Sequence, residues 1–102
     1  SSDLNSLYSA TKGAVNSFMK AMALEGAKQR IRSNSIQPGF IPTQIMSKGV
    51  VSEDQLQEYI SKYPLGVGKT TDISNLCIYL LSDASRWMTG SVLTIDGGLT
   101  LQ

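Results

Sequence analysis

The chain has 102 residues, a formal net charge of +1, 41% hydrophobic and 17% charged residues, the composition of a small globular domain with a modest core. That charge offers no electrostatic case for nucleic acid or an anionic membrane, and the absence of histidine with a single cysteine excludes Cys/His catalytic pairs, an internal disulfide and most metal sites. No apolar run approaches the roughly 20 residues of a membrane span and the polar first six residues do not resemble a signal peptide, so a reducing cytoplasmic setting is expected.

Ser1-Ser2-Asp3-Leu4-Asn5-Ser6 is a polar lead with several candidate N-caps, and residues from about 7 to 29 contain no proline and only Gly13 and Gly26 as breakers. The spacing predicts one long helix. At 100° per residue, Val15, Met19 and Met22 form a stripe with Phe18 at its edge, which continues backwards through Lys12 and Thr11 to Tyr8 and is expected to face the core. The other side carries Ala10, Ala14 and Ala21, small enough for another helix to approach closely. Lys28-Gln29-Arg30-Ile31-Arg32 reads as a solvated helix end, where cations suit the macrodipole.

Ile31 to Gln37 alternates as a short strand closed by Pro38-Gly39, followed by a loop to residue 51 of the kind that often carries ligand contacts. Ser52-Glu53-Asp54-Gln55 fits a capping box and predicts a helix from about 53 to 62, ended by Pro64 and Gly66. Thr70 or Thr71 then caps a helix to near Ser82, with Ile73, Leu76, Cys77, Leu80 and Leu81 as its apolar stripe and Cys77 as a structural thiol. Arg86 to Gly90 turns into a last strand, Ser91 to Ile95, stopped by Asp96-Gly97-Gly98.

Two strands joined through helices should be parallel, and parallel sheets occur almost only as larger sheets covered by helices on both faces. The expected fold class is therefore α/β, with residues 1–102 forming the C-terminal part of a doubly wound, Rossmann-type parallel sheet domain. The pattern does not make a complete domain alone, and further strands are expected ahead of residue 1.

Within this layout, Tyr8 and Lys12 are the chemically informative pair. Four residues apart on a helix, they share one face, and an ammonium beside a phenol favours the phenolate, which can exchange a proton with an alcohol or carbonyl. A Y-x-x-x-K match alone is a common accident, so the weight rests on its companions. Tyr8-x-x-x-Lys12 on a helix, Pro38-Gly39-x-x-x-Thr43 after the next strand, and Thr89-Gly90 leading into Asp96-Gly97-Gly98 occur in the order and spacing that resembles the C-terminal part of the short-chain dehydrogenase/reductase family. The likeness covers essentially the whole chain and looks nearest to the group with 3-oxoacyl-carrier-protein reductases, glucose dehydrogenases and hydroxysteroid dehydrogenases.

The resemblance implies NAD or NADP as cofactor and a small-molecule alcohol or ketone as substrate. Tyr8 would be the general acid/base and Lys12 would both favour its ionised form and bind the nicotinamide ribose hydroxyls. Around Pro38 and Gly39, the backbone of Ile41 would meet the nicotinamide carboxamide and Thr43 the carboxamide or the diphosphate. Gln44, Ile45, Met46, Val50 and Val51 would belong to the substrate loop. A homo-oligomer, dimer or tetramer, is implied through the first helix and last strand, and no metal, nucleic acid or membrane. The family's Gly-rich diphosphate turn, and its serine thirteen residues before the tyrosine, have no counterpart within these residues, so the 102 residues alone are expected to be inactive. The alternative is a truncated or degenerate dehydrogenase half that serves as a structural, subunit-binding piece.

Overall fold

A computed structural model describes residues 2–41 and 52–101. Its elements are α1 (Ser2–Ala27), β1 (Ser35–Pro38), α2 (Glu53–Ser61), α3 (Thr70–Leu81) and β2 (Val92–Ile95), with 3₁₀ turns at Asp83–Ser85 and Leu99–Leu101. The strands pair in parallel, Ser35 opposite Val92 and Pro38 opposite Ile95, as the strand–helix–helix–strand order predicts.

Helix α1 starts at Ser2 rather than near residue 7, so the polar lead is helical. The sequence has no glycine or proline ahead of Gly13 to break it. Its C-terminus closes with Ile31 N–H bonded to Gly26 O and Arg30 N–H to Ala27 O, with Arg30 in the left-handed conformation (φ 59°) that this motif demands. Of the predicted stripe, Met19 is buried, at 6% exposure, and Val15, Phe18 and Met22 are exposed. Ala23 is also buried, at 3%. Ala23 lies where the helix crosses the turn at Gly90, close enough that a Cβ built on that glycine would sit 3.7 Å from its own.

Two observations orient α1 against the sheet. Ala23 lies beside Gly90, which bonds Ser33, whereas Asn16 accepts a hydrogen bond from the Ser35 hydroxyl at 3.2 Å. Moving back along α1 thus moves forward along the strands, so the helix runs antiparallel to them. Ser35 faces α1; Ile95, on the other face by register, shares a cavity with Ile73 of α3. Helices α1 and α3 therefore cover opposite faces, the layering of a doubly wound sheet.

β1 begins at Ser35, later than the alternation predicts, because the polar side chains before it are used elsewhere. Asn34 donates to Met88 O at 3.2 Å and accepts from Ser91 N–H at 3.0 Å, and the Thr89 hydroxyl accepts from Ser33 N–H at 3.2 Å. Arg32 is not a solvated helix-end cation: its guanidinium reaches the carbonyls of Leu80 (2.8 Å), Ser85 (3.0 Å), Met88 (3.2 Å) and Ser82 (3.4 Å). It stitches the end of α1 to the end of α3.

The capping box forms as predicted on α2, with Ser52 Oγ accepting from Gln55 N–H and Gln55 Oε1 from Ser52 N–H, both at 3.2 Å. Helix α3 is capped differently. Its N-cap is Lys69, whose N–H is held by Asp72 Oδ2 at 2.7 Å, so the carboxylate three residues on, and neither Thr70 nor Thr71, closes the turn. Ile73, Leu76, Cys77 and Leu80 are half-buried, while Leu81 is exposed.

After β2 the chain turns twice through left-handed backbone, at Gly97 (φ 61°) and Gly98 (φ 93°), a conformation that costs a side-chain-bearing residue strain. Asp96 directs this turn. Its carboxylate accepts from the Thr100 hydroxyl at 2.8 Å and from the N–H groups of Gly98 and Thr100 at 3.0 and 3.1 Å. The Thr100 hydroxyl, against a smaller opposing effect of burial and helped by the backbone donors, holds the Asp96 carboxyl below its ordinary value of 3.8. A group whose folded value is depressed contributes stability that is complete above the unfolded value and is lost as pH falls through the folded one. Unfolding midpoints measured from about pH 2 to about pH 6 should rise with pH, and Asp96→Asn should flatten that part of the profile.

Candidate functional site

The predicted site residues divide between two elements and the segment after them. On α1, Tyr8 and Lys12 share the stripe of Met19 and Ala23 to within about 60° of helical rotation, so they do lie on the sheet-facing side. They are nevertheless exposed, Tyr8 to 63%. The stripe is the predicted one, but only its C-terminal part meets packed chain.

Asn16 fixes how far the pair reaches. It sits level with Ser35, and at 1.5 Å per residue Lys12 lies ~6 Å and Tyr8 ~12 Å further toward the carboxyl ends of the strands. Ser35 to Gly39 spans ~13 Å of strand. The phenol is thus level with the Pro38-Gly39 turn, at the edge where open α/β sheets bind their ligands. The Lys12 ammonium stands 5.2 Å from the centroid of the Tyr8 ring, so the predicted pairing is realised as a cation over a π face.

Pro38 ends β1, and the last ladder bond runs from Gly39 N–H to Ile95 O at 2.9 Å. Gly39 is required by contact rather than by its dihedral angle: a Cβ there would lie 2.9 Å from Asp96 Cα and 3.0 Å from the Tyr63 ring. Gly39 and Ile41 border an open cavity of about 450 Å³ on the α3 side, with Phe40, Tyr63, Asp72 and Ile95 among its walls. Tyr8 and Lys12 do not line it. Thr43, Gln44, Ile45, Met46, Val50 and Val51 lie outside the described residues.

Tyr63 is absent from the predicted set, yet it touches the turn directly, its hydroxyl accepting from Phe40 N–H at 2.8 Å. One turn earlier on α2, Tyr59 stacks on the Phe40 ring at 5.6 Å and 27°. Sequence carries no signal for either contact beyond two tyrosines spaced to share a helical face. Among the described residues no group of three His, Cys, Asp or Glu is placed to hold a metal, and no helix is long and apolar enough to cross a membrane.

Known proteins place this geometry. Residues 2–100 match the model of the family described as enoyl-(acyl carrier protein) reductase. A tropinone reductase homologue of Arabidopsis thaliana is 37% identical over 102 residues, 99% of this chain and 39% of that protein. Among solved structures, a short-chain type dehydrogenase/reductase from Mycobacterium ulcerans superposes with a TM-score of 0.80 at 36% identity, over 93% of this chain and 35% of that one. A 4-hydroxyisoleucine dehydrogenase mutant complexed with NADH and succinate does so with a TM-score of 0.80 at 38% identity, over 93% and 40%. The chain thus spans about two fifths of the length of the relatives it matches, and within that span it shares their Rossmann-type layering. It belongs to the short-chain dehydrogenase/reductase family.

Proposed function

We infer that the intact protein containing this chain interconverts an alcohol and a ketone by hydride transfer with NAD or NADP, with Tyr8 as the general acid/base. The observation that supports this most is the Tyr8–Lys12 pair, one helical turn apart, open to solvent and level with the carboxyl end of β1. A phenol placed there can give a proton to a substrate oxygen or take one from it.

The residues present fit a nicotinamide dinucleotide. Lys12 has hydrogen-bond donors for ribose hydroxyls. Past the Gly39–Ile95 bond the backbone at Ile41 can face a carboxamide, with Thr43 two residues on in sequence for the carboxamide or diphosphate. When bound, the cofactor supplies or accepts the hydride. The substrate is a small molecule, contacted by Gln44, Ile45, Met46, Val50 and Val51. Catalysis is a property of the intact protein and the 102 residues alone are inactive. Its subunits associate through the exposed Ala10, Ala14 and Ala21 side of α1 and through the last strand.

The test is a screen of the full-length protein with NAD and NADP against sugar, steroid and 3-hydroxyacyl substrates, following the absorbance of the reduced nicotinamide. Turnover with one cofactor is expected. Absence of turnover with every substrate, together with no calorimetric binding of either dinucleotide, would refute the assignment.

A further inference from the structure

Three stretches far apart in sequence meet behind the Pro38-Gly39 turn. From the end of α2, the Tyr63 ring lies against Gly39, a built Cβ meeting it at 3.0 Å, and against Gly97 at 3.7 Å. The tyrosine is held from its own side as well: its N–H bonds Ile60 O at 3.1 Å, its carbonyl accepts from Gly66 N–H at 2.9 Å, and Leu65 N–H bonds Gly97 O at 3.0 Å. Its hydroxyl is therefore presented from a fixed base.

That hydroxyl accepts the Phe40 N–H at 2.8 Å. Phe40 is the first residue past the Gly39–Ile95 ladder bond, so the contact extends backbone fixation by one residue, to the Gly39–Phe40 peptide, one peptide short of the Ile41 N–H. With Tyr59 stacked on the Phe40 ring, α2 and the segment that follows it grip the same residue twice. The grip comes from the α3 side of the sheet, the side away from Tyr8 and Lys12.

We propose that Tyr63 is a positioning residue for the nicotinamide cofactor: through its hydroxyl it holds the Phe40 peptide so that the Ile41 backbone meets the carboxamide in one orientation, and it ties that orientation to α2. The proposal rests on the cofactor reading given above. Loss of the phenolic oxygen removes one neutral hydrogen bond from the turn while the ring still fills the space between the glycines, so the turn keeps its packing and loses its alignment.

The experiment compares the full-length wild type with Tyr63→Phe. The cofactor Kd by calorimetry and the cofactor KM should both rise about fivefold. At saturating cofactor, kcat and the KM of the alcohol or ketone should stay within about twofold, and the unfolding midpoint should fall by no more than the few degrees that one neutral hydrogen bond is worth. Amide exchange at Phe40 should accelerate in the variant. If wild type binds neither dinucleotide, the functional reading falls and this proposal with it. If wild type binds and Tyr63→Phe binds equally well, or the substrate KM rises instead of the cofactor's, the proposal alone is overturned. A lowered unfolding midpoint with cofactor and substrate constants unchanged would show a structural role only and overturn it too.

Discussion

Tyr8→Phe in the full-length protein should lower kcat about 10³-fold, with kcat/KM for the alcohol or ketone falling by a similar factor and the cofactor Kd changing less than threefold. The magnitude follows from what the change removes. A positioned general acid/base is worth about 10²–10⁴ in rate, and Phe keeps the ring that lies under the Lys12 ammonium while deleting the atom that carries the proton. Equal losses in kcat and kcat/KM mark an interaction made only in the transition state, which is where a proton moves to or from the developing alkoxide. Because Tyr8 is mostly exposed, unfolding free energy should change by less than about 0.5 kcal/mol, so lost activity is not lost fold. Single-turnover measurements with the reduced cofactor would separate the proton-coupled step from product release. A variant retaining more than about a tenth of wild-type kcat would remove Tyr8 from the acid/base role.

How far the sequence carries depends on the range of the interaction that decides each feature. Ser52 and Gln55 find each other across three residues, so their capping box is readable in the chain and forms as read. The Tyr8–Lys12 adjacency is equally local. Parallel pairing of β1 and β2 follows from connectivity, which needs only the order of elements. Where two local rules compete, the sequence misleads: Thr70 and Thr71 are good cap residues, but the Asp72 carboxylate wins because it bonds the Lys69 N–H and also sits in the positive first turn of α3.

Features settled at long range have no local trace. Periodicity gives the direction of the α1 stripe, yet burial along it depends on what stands opposite: Met19 is buried and Ala23 lies against the turn at Gly90, while Val15, Lys12 and Tyr8, further toward the carboxyl ends of the strands, are exposed. Tyr63 reaches Phe40 across 23 residues and Asn34 reaches Ser91 across 57. Such pairs are visible only once the strands are in register, which is why the turn's supporting tyrosine escapes a reading that finds the turn itself. For the same reason the site is legible as chemistry, a phenol beside an ammonium, before it is legible as a place.

Arg32 is the strongest case of a long-range contact, and Arg32→Ala in the intact protein should destabilise it by about 2–3 kcal/mol. The guanidinium satisfies carbonyls at the end of α3 and in the 3₁₀ turn after it, where helix geometry leaves acceptors without partners and the dipole is negative. Hydrogen bonds to a charged group are worth about 1.5–3 kcal/mol each, so a simple sum over four would give far more than is expected. It does not apply because every one of these carbonyls has a second donor. The buried Ser85 hydroxyl donates to Leu80 O at 2.9 Å, Ser85 N–H bonds Ser82 O at 3.3 Å, Asn34 donates to Met88 O, and Met88 N–H bonds Ser85 O at 2.9 Å. Removing the arginine therefore orphans no acceptor, and what is lost is the charge–dipole attraction and the tie between two chain segments about 50 residues apart. Arg32→Lys should recover no more than about half, since a single ammonium cannot span carbonyls that a planar fork reaches from both of its terminal nitrogens. Urea unfolding with an unchanged slope would give the difference directly. Arg32→Ala within about 0.5 kcal/mol of wild type would return this residue to the solvated helix end that its local sequence resembles.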